Sequence, residues 1–143
     1  MNFSDFPVKN TTLTNVEIDD YAKKLKLKHY IPHRMRDELI GTAQTNEWGI
    51  INTDVSRGKG FHYVAYFKKG NLKIYMDSFG IKPLIEVQRY LGKNILYQTF
   101  RIQQPDNTNC GKYCLYVLYR LNNGDDFKSI VFDLLEEHKF EGF

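Results

Sequence analysis

Cysteine is scarce in this chain: Cys110 and Cys114 are its only two. Two thiols four residues apart do not make a disulfide framework, and they suit a reducing compartment. If both lie on one helix, a bond between them is disfavoured by geometry. Long apolar runs are missing too. No stretch approaches the ~18–20 residues of a membrane-spanning helix, so no membrane role is expected. The start, MNFSDFPVKN, lacks the basic and apolar stretches of a secretory leader, and none is expected. Neither sign of charge dominates: 20 Lys and Arg against 17 Asp and Glu give a formal +3, well short of what compels a nucleic-acid partner. The densest basic segment, Lys23 to Arg36, reads as a solvated face that supports at most a weak DNA association. Tryptophan occurs once, but 10 Tyr and 10 Phe are present, and these rings are expected to fill a small core. A length of 143 residues fits one domain burying roughly 68–70% of its unfolded surface.

The polar, Pro-containing residues 1–13 read as a flexible N-terminal arm, leaving 14–143 as a single domain. Thr14 and Glu17 have the spacing of a capping box, and Val16, Ile18, Tyr21 and Leu25 carry a helix to about Leu27. A short helix is expected from Arg34 to Ile40. Strands are expected at Trp48–Thr53, Phe61–Phe67, Leu72–Asp77 and Ile95–Phe100, with a polar loop from Asp54 to Gly60. Pro83 marks the start of a helix through Leu84, Val87, Gln88 and Leu91. The loop Gln103–Asn109 leads into a helix from Cys110 to about Leu121. Gly124 breaks that helix, and Asp126 caps a last one to about His138. The fold class is therefore α+β: a mainly antiparallel sheet flanked by helices.

A two-residue turn at Lys69-Gly70 would set His62 directly opposite Asp77. Tyr63, Ala65, Phe67, Leu72, Ile74 and Met76 would then share one apolar face, with His62 and Asp77 projecting from the other. A carboxylate so placed fixes the imidazole tautomer and leaves the second ring nitrogen free as a base. Cys110 opens a helix, where the positive end of the backbone dipole favours thiolate. Gly111 beside it is expected to leave room for a substrate carbonyl. Acyl transfer also needs donors for a developing oxyanion: the Cys110 backbone N–H is one candidate and the Gln104 side chain another. Cys114, one turn further on, reads as a buried helix residue. Trp48 reads as core rather than as the border of a groove.

The segments GIINTDVSRGKGFHYVAYF (49–67), MDSFG (76–80) and QQPDNTNCGKYC (103–114) resemble adenain, the adenovirus maturation protease. Its clan includes the SUMO- and ubiquitin-like-protein-specific proteases, with similar enzymes in virophages and Polinton-type elements. The resemblance spans Val16 to Leu121 in the order His, acid, Gln, Cys, the reverse of papain's. It implies an adenain-like fold with the nucleophile at the start of a central helix. It also implies a catalytic set of His62 as base, Asp77 as orienting acid, Gln104 as oxyanion donor and Cys110 as nucleophile. The Gln-to-Cys spacing of six resembles the SUMO-protease form, although Asn109 replaces an Asp and Tyr63 a Trp common in that branch.

The implied activity is a cysteine endopeptidase that matures viral capsid or structural proteins after glycine-type residues. It would act as a monomer without cofactor or metal, in the virion and in the host cytoplasm or virus factory. A host-directed SUMO or ubiquitin-like protein protease, an acyltransferase and a non-catalytic capsid-binding module are the alternatives. Adenain is stimulated by DNA and by a disulfide-linked peptide. With Cys110 committed to chemistry and Cys114 buried, covalent peptide activation is not expected here.

Overall fold

The computed structural model describes residues 1–56, 58, 62–104 and 107–139. Gly60, Phe61, Pro105 and Asp106, which the sequence reading placed in loops and at a strand start, lie outside the described residues.

Helix α1 (Asn15–Lys24) begins at the expected capping box. Thr14 Oγ1 accepts the Glu17 N–H at 3.1 Å, and Glu17 Oε1 accepts the Thr14 N–H at 2.9 Å. The chain then departs from expectation. Tyr30–Met35 is a strand, β1, and the helix expected over 34–40 shrinks to a single 3-10 turn, Arg36–Glu38. β1 pairs parallel with β2 (Asn46–Asn52), setting Arg34 beside Ile51 and Met35 beside Asn52, with a bulge between Ile31 and Arg34. Pro32 sits in that bulge on an edge strand, where its missing N–H removes little. Sheet pairing outweighs the helical propensity of the segment.

β3 (Tyr63–Lys69) runs antiparallel to β2, and β4 (Leu72–Met76) antiparallel to β3, giving the order β1-β2-β3-β4. The β3–β4 register is shifted by two residues from the expected one. Lys69 pairs with Leu72 and Ala65 with Met76, so the turn is Gly70-Asn71. Gly70 has φ +60°, and a positive φ at the first turn position favours glycine. Because side chains alternate with period two, this shift keeps every residue on its expected face. The strand expected at 95–100 is reduced to one bridge, Leu96 with Ile74.

Helices α2 (Ile85–Leu91), α3 (Cys110–Asn122) and α4 (Phe127–Lys139) complete the fold. Asp126 accepts the Ser129 N–H at the start of α4, as expected of a cap. Ile50, Ala65, Phe67, Ile74 and Met76 on one sheet face pack with α1, α3 and α4, and Trp48 stacks on Phe67 at 4.5 Å in that core. The opposite face is buried as well: Ile51, Val64, Tyr66 and Tyr75 pack beneath Val87, Tyr90 and Leu91 of α2. Buried Glu47 binds this second layer together, accepting hydrogen bonds from Tyr90 (2.5 Å), Tyr66 and Arg34.

Residues 1–13 form no helix or strand, but they are not a free arm. Phe3, Phe6, Val8 and Leu13 are buried in the main core. Phe3 stacks on Tyr113 at 4.3 Å, and Glu137 accepts the backbone N–H groups of Phe3 and Ser4. Four apolar side chains in a polar stretch suffice to seat it, because α3 offers an aromatic surface that receives Phe3 and Phe6.

Candidate active site

The ends of three elements converge to form the site. His62 immediately precedes β3, Asp77 immediately follows β4, and Cys110 is the first residue of α3. The register places His62 across from Phe79 rather than Asp77, and the two rings stack at 4.8 Å and 22°. Asp77 is therefore a diagonal neighbour, and it still reaches the imidazole: His62 Nε2 lies 2.8 Å from Asp77 Oδ1. The other ring nitrogen is left free of Asp77, and His62 and Cys110 line the same cleft, close enough for the thiol to raise the basicity of the imidazole.

Asp77 is held rigidly. Its Oδ1 also accepts the Phe79 N–H at 2.9 Å, closing a short turn over its own side chain. Its carbonyl accepts the Gly80 N–H at 2.8 Å and the Gln98 side-chain amide. Gly80 has φ +74°, and a Cβ there would lie 2.4 Å from the Phe100 carbonyl carbon. Only glycine closes this turn without displacing backbone.

Burial lowers the basicity of His62. Hydrogen bonds and charge from Asp77 and Cys110 outweigh it, and the imidazole pKa is pushed up to about 9. The folded protein thus favours imidazolium over the ordinary value of about 6.5. The resulting stabilisation is complete below that ordinary value and is lost as pH rises through the folded one. The melting-temperature gap between wild type and His62→Ala should accordingly narrow as pH is raised from about 6 to about 9.5. A gap that widens with pH would contradict an ion-paired His62.

Cys110 and His62 share a cleft of about 270 Å³ with Leu13, Tyr63, Phe79 and Gln103. Gln104 does not line it. Gln104 lines a separate cavity with Asn109, Lys112 and His138. Of the two adjacent glutamines, Gln103 is the one that lines the cleft with Cys110 and His62, while the expected oxyanion donor, Gln104, lies beside it in the same loop. Gln103 Oε1 accepts the Ser78 hydroxyl at 2.5 Å, and its Nε2 donates to the Asn107 carbonyl at 2.7 Å. One amide hydrogen is left over from these bonds.

Gly111 also serves a different end from the one expected. A Cβ there would meet Leu13 Cδ1 at 2.9 Å and Ile18 Cδ1 at 3.0 Å, so the missing side chain admits core residues rather than substrate. Cys114 is fully buried, and burial pushes its thiol well up. The sequence reading did not single out Gln103, Phe79 and Leu13, which line the cleft. The glycine of Asp-Ser-Phe-Gly signals the turn that places Phe79, whereas nothing local distinguishes Gln103 from Gln104.

Among the described residues no group of three or more His, Cys, Asp and Glu is placed to hold a metal, and no helix is long and apolar enough to cross a membrane. No protein-family model and no curated protein matches the sequence. Solved structures do match. The ASFV pS273R protease, as the selenomethionine form, superposes with a TM-score of 0.64 at 19% identity, over 87% of this chain and 63% of that one. A second structure of the same protease gives 0.56 at 18%, over 87% and 62%. The SUMO protease Ulp1, with its catalytic cysteine oxidised to a sulfinic acid, gives 0.38 at 14%, over 84% and 57%. This chain thus spans under two thirds of the solved chains it resembles, and it shares the α+β fold of the ASFV pS273R protease.

Proposed function

We propose that the protein is a cysteine endopeptidase. The observation that carries this reading is the imidazole of His62, hydrogen-bonded to the Asp77 carboxylate and sharing one cleft with the Cys110 thiol at the start of α3. In the proposed cycle His62 takes the Cys110 proton, and the thiolate attacks the peptide carbonyl carbon. The Cys110 N–H and the Gln103 amide stabilise the oxyanion. Collapse breaks the C–N bond, His62 delivers its proton to the leaving amine, and an acyl-enzyme remains. Water, deprotonated by His62, then releases the acid and regenerates the thiol.

The finer reading is an adenain-like maturation protease that cuts viral capsid proteins after glycine-type residues. It would act as a monomer in the virion and in the host cytoplasm or virus factory. Sequence resemblance and the fold of a viral protease support it. Buried Cys114 leaves no thiol for a disulfide-linked activator, so the protein should act alone under reducing conditions. Any stimulation by DNA through Lys23–Arg36 should fade with salt. The test is digestion of capsid proteins and a peptide library, read by mass spectrometry. Fragments ending in glycine are expected. Bulky residues at that position in most sites would overturn the maturation reading, and an absence of any cleavage would overturn the endopeptidase.

A further inference from the structure

Asn109 occupies the position before α3 where an Asn side chain ordinarily caps the helix by accepting a backbone N–H. Here it makes no such bond. Its Nδ2 donates instead to Asn10 Oδ1 at 2.8 Å, across 99 residues of sequence. Asn109 is 3% exposed, so this is a buried amide reaching out to the N-terminal segment. Three residues on, Leu13 fills the space above Gly111, and its carbonyl accepts the Tyr63 hydroxyl at 3.0 Å. Residues 10–13 therefore grip both neighbours of the nucleophile, Asn109 and Gly111, and the residue that follows the base, Tyr63. Thr12 and Leu13 also line the cleft itself.

We infer that residues 10–13 form a strap that sets Cys110 against His62, with Asn10 a positioning residue acting through Asn109. This deepens the cysteine-protease reading and rests on it. The strap is seated independently of the site. Lys9 pairs with Glu17 at 2.5 Å, and Phe3 and Phe6 pack on aromatic residues of α3. Those anchors hold the segment in place, and the Asn10–Asn109 bond transmits its position to the loop before the nucleophile. A shift of about 1 Å at a reacting atom can cost up to about 100-fold in rate.

The test compares wild type, Asn10→Ala and Asn10→Asp in the full chain. Asn10 is exposed, so both variants should fold, and aspartate keeps the acceptor that Asn109 needs. Iodoacetamide alkylation of Cys110 is followed against pH, alongside kcat and KM for a cleaved peptide and the melting temperature. Asn10→Ala should slow alkylation at neutral pH and lower kcat on the order of tenfold, with KM little changed, while Asn10→Asp stays within about threefold of wild type. A lower melting temperature with an unchanged alkylation profile would mark the contact as merely structural and overturn the inference. So would an Asn10→Asp variant as slow as Asn10→Ala. If wild type cleaves nothing, the endopeptidase reading fails, and the alkylation profiles still decide the strap because they need no substrate.

Discussion

Cys110→Ala is expected to reduce peptide cleavage on the order of 10⁶-fold, the scale of losing a covalent nucleophile outright. No other described side chain can take over. Cys114 is fully buried one turn along the same helix, and its thiol is pushed well up, away from thiolate. The fold should survive, because alanine is a strong helix former and replaces a small side chain at the first position of α3. Cys114→Ala is the matched control. It removes the only other sulfhydryl from the core at a cost of about 1 kcal/mol, and cleavage should persist. Cleavage by Cys110→Ala within tenfold of wild type would remove the thiol from the mechanism.

The second large effect separates two adjacent glutamines. Gln103→Glu should lower kcat by about 10²–10³-fold with KM nearly unchanged, since an oxyanion donor acts in the transition state rather than on bound substrate. Glutamate is preferable to alanine here. It keeps the volume and the oxygen that accepts from Ser78, and it removes the amide hydrogens. Gln104→Ala should stay within about threefold of wild type, because Gln104 lines another cavity. The opposite ranking would assign the oxyanion role to Gln104, as the sequence reading has it.

Much of this arrangement could be read from residues alone. The helix-start cysteine, the capping box at Thr14 and the α+β order needed only local patterns. The His–Asp contact was expected from a register two residues off, and it forms because alternation keeps both residues on one face. The failures share a cause. Gln103 and Gln104 are chemically identical, and only the loop's path, fixed by Ser78 and Asn107, brings Gln103 to the cleft, which the sequence did not show. β1 escaped notice because a parallel edge strand with a proline and a bulge lacks the alternation of a strand. The N-terminal segment looks polar until α3 is present to receive Phe3 and Phe6. Gly111 was assigned to substrate access because its neighbours in space, Leu13 and Ile18, are remote in sequence.

The β3–β4 hairpin behaves as a ruler graduated in steps of two. His62 and Asp77 hang from its open end, and Gly70-Asn71 closes the other. Residues added in matched pairs at the closed end would lengthen the hairpin outward and leave the dyad untouched, so that tip is a tolerant place for insertions, labels or binding loops. A single residue added to one strand would turn the imidazole or the carboxylate to the opposite face, unless a bulge absorbed it. Length variation in this hairpin should therefore be even in number, or odd only where a bulge accompanies it.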